Sequence, residues 1–81
     1  MDRPTIHAKL QQIIRDFFDD PAVVIQDFTT AKDIKGWDSI THIDLVCCVE
    51  DEFKIKILTR EVATLANVGE FIDLIQRKTA R

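Results

Sequence analysis

The sequence predicts an all-α fold, a four-helix bundle built from three main helices and one short one. Three observations carry that prediction. Apolar residues recur at helical spacing over three stretches. Only two glycines and two prolines interrupt the 81 residues, and these are the residues that break helices most strongly. No long alternating, β-branched run competes for a sheet. The length suits one domain over residues 1–81, with a modest core and little stability to spare.

The first helix is expected over roughly Arg3 to Phe18. Ile6, Leu10, Ile13, Ile14, Phe17 and Phe18 share one face, and Pro4 is tolerated in a first turn, where its missing N–H costs nothing. Pro21 disfavours helical geometry in the residue before it and so marks the stop at Asp19-Asp20-Pro21. Ala22 to Trp37 has no sustained period. It is expected to be a loop, with room for a short helical turn, pinned to the core by Val23, Val24, Ile25 and Phe28. Gly36-Trp37 breaks the chain before the second helix.

That second helix should run from Ser39 to about Phe53, with Asp38 as its N-cap. Ile43, Val46, Val49 and Phe53 form its apolar stripe, widened by Leu45. Lys54-Ile55-Lys56-Ile57 alternates like a strand but is too short and isolated for a sheet, so it reads as an extended connection. Thr59 is expected to cap a short third helix reaching about Leu65. Asn67 with Glu70 three residues on resembles a capping box opening a last helix, Val68 to about Lys78. Phe71, Ile72 and Ile75 are its inner face, and Arg77 and Lys78 suit its negative end.

Composition excludes several function classes. Fourteen acidic residues stand against 11 basic ones, for a net charge of −3. No basic face for nucleic acid is evident, and a mildly acidic surface suits basic protein partners. Cys47 and Cys48 are the only cysteines and are adjacent, so they make no disulfide framework. They read as reduced, small apolar residues, one of them partly exposed. No signal peptide or membrane-spanning run is visible, and the reading is a soluble, cytoplasmic protein.

The chemistry concentrates in Gly36-Trp37-Asp38-Ser39-Ile40-Thr41-His42-Ile43-Asp44-Leu45 and its continuation to Ile55. A serine directly follows a helix cap and opens a helix that turns acidic. A hydroxyl there is open to solvent, and free N–H groups at the positive helix end favour a phosphodiester anion. Asp38, Asp44, Glu50, Asp51 and Glu52 offer a partner enzyme charges to read.

On these residues the sequence resembles the acyl carrier protein family. The matching words are Asp38-Ser39-Ile40, the apolar Ile43, Leu45, Val46 and Val49, and Glu50-Asp51-Glu52-Phe53 with Ile55 and Ile57. The resemblance spans about residues 5 to 76 and includes Asn67-Val68-Gly69-Glu70. It implies a four-helix bundle of acyl-carrier type whose second helix meets partners. It implies a non-catalytic carrier that receives 4′-phosphopantetheine from coenzyme A at Ser39 through a phosphopantetheinyl transferase. The arm's thiol would hold acyl groups as thioesters for acyl-activating, acyltransferase or ketosynthase enzymes of fatty-acid, polyketide or related specialised biosynthesis. Asp38, Ile40, Asp44, Glu50 and Asp51 fall on partner-recognition positions. Val46, Val49, Phe53 and Ile57 fall on positions near an acyl-sheltering cavity. A monomer is implied, since a carrier visits several enzymes.

Some residues depart from the family pattern. Ile40 replaces the commoner leucine. Thr41 and His42 stand where many fatty-acid carriers place acids or small polar residues, and Lys54, Lys56 and Arg60 dilute the acidity. The Trp37-Asp38-Ser39 and His42-Ile43 wording resembles free-standing carriers of specialised pathways. Asp-Ser-Ile favours acyl over peptidyl carriers, although aminoacyl or peptidyl cargo stays open. From a different class, a small helical interaction domain with an unmodified serine also fits the amphipathic pattern.

Other readings of the same residues are weaker. Ser39 and His42 share a helix face, but a hydrolase also needs an oxyanion hole and a pocket that an 81-residue bundle rarely supplies. His42 is expected at the surface beside the arm. His7, His42, Cys47 and Cys48 match no zinc spacing, so no metal is expected. Trp37 is expected to pack at the loop–helix junction.

Overall fold

Each helix begins where a side chain or a loop carbonyl takes up its unpaired N–H groups. In the computed structural model, which describes residues 1–80, helix α1 spans Arg3–Phe17, α2 Ser39–Phe53, α3 Thr59–Ala63 and α4 Val68–Thr79. A single 3-10 turn at Ala31–Asp33 interrupts the long loop, the short turn for which the sequence left room. The all-α architecture of three main helices and one short one agrees with the expectation.

Asp2 caps α1 by accepting the Thr5 N–H at 3.0 Å. The helix ends at Phe17 with Phe18 as its C-cap, within a residue of the expected end. The cause is Asp19, which sits at φ 52. With it, Asp20 N–H reaches Arg15 O at 2.9 Å and Asp19 N–H reaches Asp16 O at 3.3 Å, the two bonds of a Schellman turn. Lys54 closes α2 the same way at φ 55, with Ile55 N–H on Glu50 O.

α1 packs against α4 and α2. Ile6, Leu10 and Ile14 of α1 meet Leu45, Val46, Val49 and Phe53 of α2 and Phe71, Ile72, Leu74 and Ile75 of α4 in one core. Ile43 is a correction to the expected α2 stripe, since it is 62% exposed. Leu45 takes the core side instead, because the stripe follows Leu45, Val49 and Phe53 around the helix. Cys47 and Cys48 are both exposed, where only one was expected to be so. In the loop Ile25 is buried, but Val24 and Phe28 are 60% and 76% exposed and pin nothing.

Backbone hydrogen bonds anchor that loop instead. The N–H groups of Val68 and Gly69 donate to Thr29 O and Asp27 O, each at 2.8 Å. Arg3 joins the cluster by pairing with both Asp27 and Asp73. The loop's carbonyls thus satisfy the start of α4.

The short helix differs from expectation at both ends. Leu58, not Thr59, is its cap, and the helix stops at Ala63. Glu61 reaches back to accept the Leu58 N–H at 2.9 Å, and it also pairs with Lys78 Nζ at 2.8 Å, tying α3 to the end of α4. Half of the expected Asn67–Glu70 box forms. Asn67 Oδ1 accepts the Glu70 N–H, whereas the Glu70 carboxylate reaches past Asn67 to the Ala66 N–H.

Candidate functional site: Ser39 and the cleft beside it

Ser39 is the first residue of α2 and is exposed. Its position is set by the residues around it. Gly36 turns the chain at φ +91, a conformation that favours glycine. The Thr41 hydroxyl donates to Gly36 O and accepts the Asp38 N–H, both at 2.9 Å. Asp38 Oδ1 accepts the N–H groups of Ile40 and Thr41 at 2.9 Å. These two bonds, Thr41's first, hold the Asp38 carboxyl below the usual carboxylate range.

The cap alters one expectation. The first-turn donors were expected to be free for a phosphodiester, but Asp38 has claimed them, and its backbone oxygen takes His42 N–H. Among the described residues, Ser39's own N–H is the one first-turn donor left without a protein acceptor. A carboxylate beside it repels a second anion. A group on the Ser39 hydroxyl is therefore directed away from the helix axis, toward solvent or the adjoining cleft.

That cleft has a volume of about 250 Å³, and Asp38 and Ser39 are among the residues that line it. Trp37 and His42 form one wall, Thr29, Thr30 and Ala31 another, and Val62, Leu65, Ala66 and Asn67 a third, with Phe71 also lining it. Trp37 packs at the loop–helix junction as expected, against Phe18 with ring centroids 6.0 Å apart. His42 departs from the expected surface position. It is partly buried and stacked on Trp37 at 5.7 Å, and burial lowers its pKa. Its Nδ1 accepts the Trp37 Nε1–H at 3.0 Å.

The other site residues separate into two groups. Ile40, Asp44 and Asp51 are exposed along α2, Ile40 by 75%. Glu50 is turned partly inward, where its carboxylate accepts the Ile57 N–H at 2.8 Å and holds the connection to α3. Val46, Val49, Phe53 and Ile57 lie in the closed core, each at most 8% exposed. They do not line the open cleft, but the stripe His42, Val46, Val49, Phe53 carries its wall into the core. The Thr29–Ala31 wall and Asn67 escaped sequence reasoning, because no local pattern says which loop will fold over a helix start. The single usable signal was the pair Trp37 and His42 astride the serine.

Among the described residues no three His, Cys, Asp or Glu side chains gather to hold a metal ion, and no helix is long and apolar enough to cross a membrane.

No protein-family model matches the chain. An acyl carrier protein of Thermosynechococcus vestitus is 30% identical over 81 residues, covering 99% of both chains. The solution structure of holo acyl carrier protein from Geobacter metallireducens superposes with a TM-score of 0.84 at 40% identity, covering 93% of this chain and 85% of that one. The crystal structure of acyl carrier protein from Thermotoga maritima gives a TM-score of 0.83 at 32% identity, covering 96% and 91%. A full-length match at this identity, and a shared fold with a helix opening on Asp38-Ser39, make the chain a member of the acyl carrier protein family.

Proposed function

We propose that this carrier holds its acyl cargo as a thioester on a 4′-phosphopantetheine arm attached to Ser39. The observation that carries the reading is Ser39, exposed at the first position of α2 and lining a cleft. Among the described residues its hydroxyl makes no protein hydrogen bond, so a transferase meets it free. The arm supplies the thiol that takes the acyl group. The chain's own residues orient the serine through the Asp38–Thr41 cap and shelter what swings inward. Deeper in the same stripe, Val46, Val49, Phe53 and Ile57 would part to admit a longer chain.

The chain acts without catalysis of its own, as a single domain over residues 1–81, in the cytoplasm and as a monomer. Two exposed free thiols suit a reducing compartment. Its partners are a phosphopantetheinyl transferase and acyl-activating, acyltransferase or ketosynthase enzymes. Asp38, Ile40, Asp44 and Asp51 would meet them directly, and Glu50 by holding the neighbouring loop.

The test is the intact mass before and after incubation with coenzyme A and a broad-specificity transferase. One added phosphopantetheine, absent in Ser39→Ala, is expected. No added mass on folded protein with an active transferase overturns the proposal in favour of an unmodified interaction domain.

A further inference from the structure

The Trp37–His42 pair fixes the chemistry of the cleft beyond what carrying a thioester requires. An indole nitrogen can only donate, so the 3.0 Å contact makes His42 Nδ1 an acceptor. A neutral imidazole holds one ring proton, which must then sit on Nε2. Burial lowers the ring's pKa and so favours that neutral form. The Trp37 ring lies beside it, with planes 26° apart, and Phe71 packs against it at a steep angle with centroids 6.1 Å apart. The result is an N–H donor held in place one helical turn from Ser39. Among the described residues it has no protein acceptor.

A second donor stands elsewhere in the lining. Asn67 Oδ1 accepts the Glu70 N–H at 2.9 Å. A backbone N–H needs an oxygen there, which fixes the amide orientation and leaves Nδ2 as a donor. Both residues line the same cleft, along with the apolar Val62, Leu65 and Phe71. An aliphatic chain entering would strip water from both donors and return nothing. A chain with an oxygen along it would give them an acceptor. At about 250 Å³ the cleft lies just below the usual range of small-molecule sites, about 300–1,000 Å³, which suits a short cargo while the core stripe beyond it stays closed.

We propose that the cleft selects short acyl groups bearing an acceptor oxygen, hydroxyacyl or oxoacyl, with His42 Nε2–H as the positioning donor and Asn67 Nδ2–H assisting. The inference rests on the reading that Ser39 carries the arm. It assigns His42 a role in cargo selection, separate from partner recognition along the exposed face of α2.

The test loads the full chain from 3-hydroxybutyryl- and butyryl-coenzyme A and follows thioester loss to hydroxylamine. Each rate is divided by that of the matching free coenzyme A thioester, which removes intrinsic reactivity. Protection of the hydroxyacyl form is expected to exceed that of the butyryl form about five-fold, the occupancy one ordinary hydrogen bond supplies. His42→Phe removes the donor, together with the acceptor for Trp37, and should erase the difference, and His42→Gln, whose amide can supply both, should restore most of it. The His42 Nε2–H resonance should move on loading the hydroxyacyl group and stay in place with butyryl. Intact mass separates the two levels. A chain that never loads overturns the carrier reading and this inference with it. A chain that loads and protects both cargoes alike overturns the selectivity alone, whether or not His42→Phe folds.

Discussion

Replacing Gly69 by alanine opposes a general rule of helix stability to a local packing constraint. Gly69 is the second residue of α4, and inside a helix alanine is normally favoured over glycine by about 1 kcal/mol. Here a Cβ would sit 2.9 Å from Asp27 O, 3.1 Å from Asp27 Cβ and 3.3 Å from Asn67 Oδ1. The first contact is with backbone, which cannot turn aside as a flexible side chain would. Relief requires the loop to retreat, which stretches the bonds from Gly69 N–H to Asp27 O and from Val68 N–H to Thr29 O. Each contributes about 1 kcal/mol, and overpacking a closed site costs about 1–3 kcal/mol. Against the propensity gain, the net loss is at least about 2 kcal/mol. For a domain of this size that lowers Tm by about 10 °C. Thr29, Thr30 and Ala31 line the cleft, so the same retreat should change the emission of Trp37, the only tryptophan. Urea and thermal unfolding of Gly69→Ala measure the first effect. Unchanged or raised stability would refute the claim that the loop is clamped to α4.

Other consequences follow from burial and charge. Leu45→Ala should cost about 2–5 kcal/mol, since Leu45 is fully buried, whereas Ile43→Ala, at a 62% exposed position, should stay within about 0.5 kcal/mol; equal losses in urea unfolding would contradict the assignment of the α2 faces. Burial holds the folded His42 below the ordinary value of about 6.5, so on acidification the unfolded chain binds that proton first. The stability owed to neutral His42 is therefore complete above about pH 6.5 and is lost as pH falls from there to the lowered folded value. Parallel stability–pH curves for wild type and His42→Gln would argue against it. Both cysteines are exposed, so an aromatic disulfide reagent should titrate two thiols in the native protein, and a count of one would place either Cys47 or Cys48 in the interior.

Much of this molecule is legible in short stretches of sequence, because the physics involved is local. The boundaries of α2 follow from Asp38 and from an apolar period that stops at Phe53, and Ser39 stands out because a cap and an acidic helix frame it. The errors share one cause. Pro21 was credited with a stop that Asp19 makes by adopting a left-handed backbone, and Thr59 with a cap that falls to Leu58. In both cases the local rule names one residue, and the outcome is decided by which hydrogen bonds the chain can close. Ile43 and Leu45 are equally apolar, so composition alone cannot say which one turns inward.

The sequence by itself therefore determined the helical fold and the family and pointed to the serine, all of which are written in patterns a few residues to one helix long. Tertiary structure alone decided what surrounds that serine. Thr29 and Asn67 meet at the cleft through a loop clamped on the start of α4. His42 is partly buried, and its ring is oriented by the Trp37 indole N–H that donates to its Nδ1. Such contacts join residues distant in the chain or set one side chain's role by another's placement, and no periodicity encodes that.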